Sequence, residues 1–136
     1  MKNLFMDSDV ILDLLLKREP HFISTAVLLE KAKSNEIKLF TSSVCAVNVH
    51  YILRKSYPTD EIGLMLNKFF MYVGILTVDK DIIMLALNSH FRDFEDAVQY
   101  YAAIKNNLET ILTRNTKDYK VDDIPVMTPV EFLKAL

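Results

Sequence analysis

The chain has 136 residues, enough to bury one hydrophobic core, and is read as a single domain over residues 1–136. It is 51% hydrophobic and 25% charged, a globular mixture, and its two glycines, Gly63 and Gly74, are too few for the glycine-rich loops that cradle nucleotide phosphates. Sixteen Lys and Arg against eighteen Asp and Glu exclude the basic coat of a wholesale nucleic-acid binder. The single cysteine, Cys45, excludes an internal disulfide framework and cysteine-rich zinc motifs, so a reducing cytoplasm is the expected home. Asp7 comes too early for a secretory leader. The longest apolar run, Val10 to Leu16, is broken by Asp13 and falls short of the roughly 20 residues a membrane span needs.

In chain order, Leu4-Phe5-Met6 reads as a buried strand ending at Asp7. Val10, Ile11, Leu14 and Leu15 then recur at helical spacing. Pro20 opens a second helix whose inner face is Phe22, Ala26, Leu29 and Ala32. A second strand, Ile37 to Phe40, leads into three good caps, Thr41, Ser42 and Ser43. The helix they start carries Val44, Val47, Tyr51 and Leu53 and runs to about Lys55. Pro58 and Thr59 begin a helix with Ile62, Leu66 and Phe69-Phe70, and a third strand, Ile75 to Val78, follows Gly74. Asp79 caps a short helix, Ile82 to Leu87. Asp93 precedes a longer one through Ala97, Tyr100, Tyr101 and Ile104. Thr110-Ile111-Leu112 and Ile124 to Met127 are the fourth and fifth strands. Thr128, Pro129 and Glu131 form a capping box with proline at its preferred place, starting the last helix.

Strands alternating with helices imply an α/β fold with a mostly parallel five-stranded sheet covered on both faces. Ligands of such sheets bind outside the carboxyl ends of the strands, which sorts the polar residues. Asp7, Ser8 and Asp9 leave the carboxyl end of the first strand. Asn48 lies in the first turns of the helix after the second. Asp93, Glu95 and Asp96 begin the helix that feeds the fourth, and Thr113, Arg114, Asn115 and Asp118 follow it. Carboxylates gathered on one rim repel one another, and an oxygen-seeking Mg²⁺ or Mn²⁺ relieves that conflict. His21, His50 and His90 are scattered and suggest no zinc site.

Each of these residues also has a plain structural role to play. Asp9 and Asp93 are good caps, and Glu95 and Asp96 complement a helix dipole. Asp118 suits a turn, and Asn48 a helix flank. Lys17-Arg18, Arg54-Lys55, and Lys117 with Lys120 read as solvated surface. Met65, Phe69, Phe70, Met71 and Tyr72 read as core, and those left exposed would form a partner surface, here taken as a homodimer contact.

The opening Phe5-Met6-Asp7-Ser8-Asp9-Val10-Ile11-Leu12-Asp13 resembles the first motif of PIN domains, a hydrophobic strand followed by Asp-Thr-Asn-Val-Leu-Leu-Asp. Asp93-Phe94-Glu95-Asp96-Ala97 resembles the second. Thr113-Arg114-Asn115-Thr116-Lys117-Asp118-Tyr119 resembles the third, Thr-Arg-Asn-x-x-Asp-Phe, and Ile124 to Leu133 is similar to the family's close. The resemblance implies a Rossmann-like three-layer α/β/α fold and Mg²⁺- or Mn²⁺-dependent endoribonuclease chemistry. It also implies a VapC-type toxin held by a small antitoxin protein, and a homodimer. By motif position, Asp7 and Asp96 match the principal metal ligands. Asn115 and Asp118 match further ligand positions, Asp9 and Glu95 are additional candidates, and Thr113 matches a water-orienting hydroxyl. Ser8, Asn48 and Arg114 are supporting residues. The chain departs from the pattern in carrying Ser8-Asp9 for Thr-Asn, and Asn48 where a glutamate is usual. Asn48 therefore keeps a second reading open, a PIN-like module that binds RNA or protein without cutting. Asp7-Ser8-Asp9 after a strand also looks like the nucleophile motif of haloacid-dehalogenase-type phosphatases, a third reading that the later motifs fit less well.

Overall fold

The computed structural model describes residues 1–136. Five parallel strands form one sheet: β1 (Lys2–Met6), β2 (Ile37–Ser42), β3 (Val73–Leu76), β4 (Thr110–Leu112) and β5 (Val126–Met127). Between them run α1 (Ser8–Leu15), α2 (Phe22–Lys33), α3 (Ser43–Leu53), α4 (Thr59–Phe69), α5 (Lys80–Leu87) and α6 (Phe94–Lys105). A 3₁₀ turn (Thr116–Asp118) follows β4, and α7 (Pro129–Ala135) ends the chain. No helix is long and apolar enough to cross a membrane.

Strand order is β3-β2-β1-β4-β5. The chain builds outward from β1 through β2 to β3, then returns to the other side of β1 to lay down β4. The switch in winding direction therefore falls between β1 and β4, and it opens a crevice at their carboxyl ends. Alternating side chains of β1 serve two cores, as strand pleating requires. Leu4 and Met6 pack with Val10, Leu28, Val49, Ile62 and Phe132 on one face. Phe5 packs with Ile82, Ala97, Ala102 and Ile111 on the other. The result is the three-layer α/β/α arrangement expected from the alternation.

Several local expectations shift. Strand β3 begins at Val73 rather than Ile75, so Gly74 lies within it, opposite Phe40 of β2. A Cβ on Gly74 would stand 2.7 Å from the Phe40 ring, which is why glycine occupies that site. Helix α2 starts at Phe22, two residues after Pro20, and buries Thr25, Leu28 and Ala32 rather than the row containing Phe22, Ala26 and Leu29. In α3 the buried row is Cys45, Val49 and Leu53, while Val47 and Tyr51 face outward. Both helices are apolar on more than one face, so spacing alone does not identify the inner one. Phe69 is core and Met65 and Phe70 are partly buried, but Met71 is 72% exposed and Tyr72 is exposed with it. The expected caps hold: Asp79 accepts the Ile82 N–H, Asp93 accepts the Asp96 N–H, and Thr128 and Glu131 close a complete capping box.

Candidate active site at the carboxyl edge

The first strand ends at the crevice, and its ladder with β4 continues one residue beyond, the Asp7 N–H donating to the Leu112 carbonyl at 2.9 Å. That bond fixes the Asp7 backbone, and α1 starts at once with Asp7 as its cap. One carboxylate oxygen, Oδ1, accepts the Ser8 N–H at 2.8 Å. The other, Oδ2, accepts two hydroxyls, Tyr119 at 2.8 Å and Thr113 at 3.2 Å. Thr113 follows β4, is fully buried, and also lies 3.3 Å from Asp9 Oδ2, which accepts the Arg114 N–H at 3.0 Å. Chain segments more than 100 residues apart are thus joined around two carboxylates. Burial, then the nearby Asp9 charge, push Asp7 up to about 6. Burial also raises Asp9, whose Oδ1 is buried with no hydrogen-bond partner. The same burial and the field of Asp7 hold the Tyr119 hydroxyl far above its usual range, so it stays a donor.

Behind this pair lies Asp13, one α1 turn further on and fully buried. Arg114 Nε stands 2.7 Å from its Oδ2 and Arg18 Nε 3.9 Å from its Oδ1. The guanidinium Nε–H of Arg114 does not point at the carboxylate, so the attraction is ionic, without an aligned hydrogen bond. Its role is to hold the β4 loop, with Thr113 and Asn115, against α1.

The opposite wall comes from α6. Ser42, the cap of α3, donates to Gln99 Oε1 at 2.6 Å and accepts the Cys45 N–H at 3.0 Å, tying the start of α3 to the first turns of α6. This places Asp96 across from Asp7. Burial, then the charges of Asp7, Asp93, Asp118 and Glu95, push Asp96 up to about 7. All four of those neighbours are acids. Asp93, Asp96 and Asp118 line a cleft of about 400 Å³. Asn115 is exposed at the start of the 3₁₀ turn, its N–H donating to Thr113 Oγ1 and its side chain making no hydrogen bond. Asn48 and Glu95 pair with each other, the Asn48 amide donating to Glu95 Oε1. Cys45 is buried beside Asp7, and burial followed by the Asp7 charge raises its thiol, which makes it a poor nucleophile.

The donor set is all hard oxygen: carboxylates from the β1–α1 junction, from α6 and from the 3₁₀ turn, with one orphaned buried carboxylate oxygen on Asp9. It suits Mg²⁺ or Mn²⁺ and would suit a soft metal poorly. The acids stand apart rather than in a closed cage, and no three His, Cys, Asp or Glu side chains converge on one point.

Two residues of this corner escape a reading by residue type. Tyr119 stands where the resembled motif carries Phe, and that added hydroxyl is the only hint of its reach to Asp7. Asp13 matches the closing Asp of the first motif and breaks an apolar run, but the sequence gives no sign that Arg114 is the cation an acid on the buried face of a helix requires.

Residues 3–117 match the PIN domain family. The chain is 29% identical over 135 residues to Ribonuclease VapC1 of Aquifex aeolicus, spanning 96% of this chain and 93% of that protein. Its fold is similar to VapBC2 from Rickettsia felis, solved bound to a DNA fragment from their promoter (TM-score 0.70, 16% identity, 91% of this chain and 96% of that one). It is also similar to a toxin–antitoxin complex from Klebsiella pneumoniae (TM-score 0.69, 23% identity, 93% and 97%). The sheet order, the acids at the switch point and the match over most of the sequence agree: the chain belongs to the PIN-domain family.

Proposed function

We propose that this chain is a Mg²⁺- or Mn²⁺-dependent endoribonuclease, acting as one cytoplasmic domain over residues 1–136. The observation that carries the reading is that acids from three separate elements face one another across the β1–β4 crevice, where their charges add to burial in raising Asp96. Asp7 and Asp96 would be the principal holders of the ion, with Asp118 and Asn115 from the third motif and Asp9 and Glu95 as further ligands. A bound divalent ion supplies a water of lowered pKa and offsets charge on the phosphodiester. Thr113 and Tyr119 orient Asp7 through its Oδ2, and Thr113 would be the hydroxyl that orients the attacking water. Ser8 fixes Oδ1 through its backbone N–H, and Arg114 anchors the loop through Asp13.

The toxin–antitoxin complexes among the similar structures further support a toxin paired with a small antitoxin, and a homodimer is proposed from the apolar surface of the chain itself. Exposed apolar residues suited to a protein partner include Leu64, Met71 and Tyr72 around α4. The test is cleavage of RNA by the purified chain with Mn²⁺, with EDTA, and with Asp96→Asn. Cleavage that needs the metal and Asp96 supports the proposal, and cleavage that survives both EDTA and the substitution overturns it. One observation favours a second reading, an RNA- or protein-binding module that does not cut. Asn48 places a neutral amide on the α3 side of the site. RNA binding without cleavage at any metal concentration would select it.

A further inference from the structure

The cleft beside Asp96 carries two opposed sets of charge. Its floor holds acids, while His90 and Arg92 project from the α5–α6 loop on one side and Lys117 and Lys120 from the turn after β4 on the other. In a chain of net charge −2, three such cations around one small cleft form a local concentration. They are not consumed internally. The ion pairs of the chain join Asp13, Glu30 and Glu36 to Arg18, Lys31, Lys33 and Arg114, and none includes Arg92, Lys117 or Lys120.

An aromatic shelf adjoins them. The His90 ring lies 5.2 Å from Phe91, tilted by 32°, and Phe91 lies 5.3 Å from Tyr100. His90 is the exposed outer member. A shelf with a free outer ring beside unpaired cations suits a flexible polyanion with flat bases.

We propose that His90, Arg92, Lys117 and Lys120 seat a single strand of RNA, the cations holding phosphates on either side of the one that reaches the acidic floor and His90 stacking on a base. The inference rests on the ribonuclease reading and adds to it where the strand lies.

The test is binding of a fluorescein-labelled single-stranded RNA to the full chain in EDTA, by anisotropy, across 50–300 mM NaCl. Removing one phosphate-binding cation reduces the slope of log K against log salt by about 0.7. The expected reduction is about 1.4 for Lys117→Ala with Lys120→Ala, and about 2.1 with Arg92→Ala added. Melting temperature should stay unchanged, because all three side chains are exposed. His90→Ala should weaken binding roughly tenfold with no change in slope. Lys2→Ala with Lys38→Ala, at the amino edge of the sheet, should leave the slope unaltered. An unchanged slope in the triple variant, or no binding by the wild type at 50 mM salt, overturns the seat. Metal-dependent cleavage is read in parallel to separate the two claims. Cleavage with an unchanged slope rejects the seat and keeps the nuclease. A reduced slope without cleavage keeps the seat and rejects the nuclease.

Discussion

The two walls of the crevice are built on opposite principles. On the β1–β4 side, Asp7 accepts three hydrogen bonds, Asp9 is held by Arg114 and Thr113, and Asp13 is matched by two arginines. On the α6 side, Asp96 faces Asp7, Asp93 and Asp118 with no such matching, and burial first, then those charges, push it up to about 7. The first wall is oriented by the protein's own hydrogen bonds and ion pairs, with Asp9 Oδ1 alone left unpartnered between Asp7 and Asp9. The second stores a repulsion that an external cation would relieve. The comparison teaches that packing orients one half of the site, while charge left unsatisfied prepares the other for a ligand.

Substitutions on the two walls should therefore fail in different ways. The largest effect is on chemistry: Asp96→Asn should lower metal-dependent RNA cleavage by roughly 10²–10³-fold. Its melting temperature at pH 8 should hold or rise, because a repelled charge has gone; a marked fall would blur the distinction between the walls. Next, Arg114→Ala should lower stability by about 3 kcal/mol in urea unfolding, because it strips the nearer cation from a buried carboxylate. Asp13→Asn added to it should restore part of that loss, and a double variant as unstable as the sum of both would contradict the pairing. Smaller still, Tyr119→Phe should cost roughly 1.5 kcal/mol at pH 8, where its hydroxyl serves an ionised carboxylate. The cost should shrink at pH 5, below the value of about 6 to which Asp7 is raised. The smallest effect belongs to Asn48→Ala, within about 0.5 kcal/mol in stability, since its partner Glu95 is exposed.

Much of this was legible in the sequence wherever a local signal and a tertiary demand coincide. Asp7 closes an apolar strand, Asp93 caps α6, and Thr128-Pro129 with Glu131 opens α7, each as residue type and spacing dictate. The inner faces of α2 and α3 were not legible, because both helices carry apolar residues on several faces and the sheet chooses among them. Within the site, the acids were visible as types at strand ends. Their supports were not. Tyr119 reaches Asp7 across 112 residues, and Lys117 and Lys120 look like ordinary solvated lysines until the fold sets them beside Asp96.

Thermal unfolding across pH 5 to 8, in EDTA and in millimolar Mn²⁺, tests the central claim most directly. Asp7 and Asp96 both bind protons more tightly folded than unfolded. Their contribution to stability is therefore full below about pH 4 and lost as pH rises through about 6 and about 7. In EDTA the melting temperature should fall over that range. On this account Mn²⁺ would bind the ionised carboxylates of the native state, so its stabilisation should be larger at pH 8 than at pH 5 and should vanish in Asp96→Asn. No rise with Mn²⁺ at pH 8, or an equal rise in Asp96→Asn, would contradict the assignment of this wall to a divalent cation.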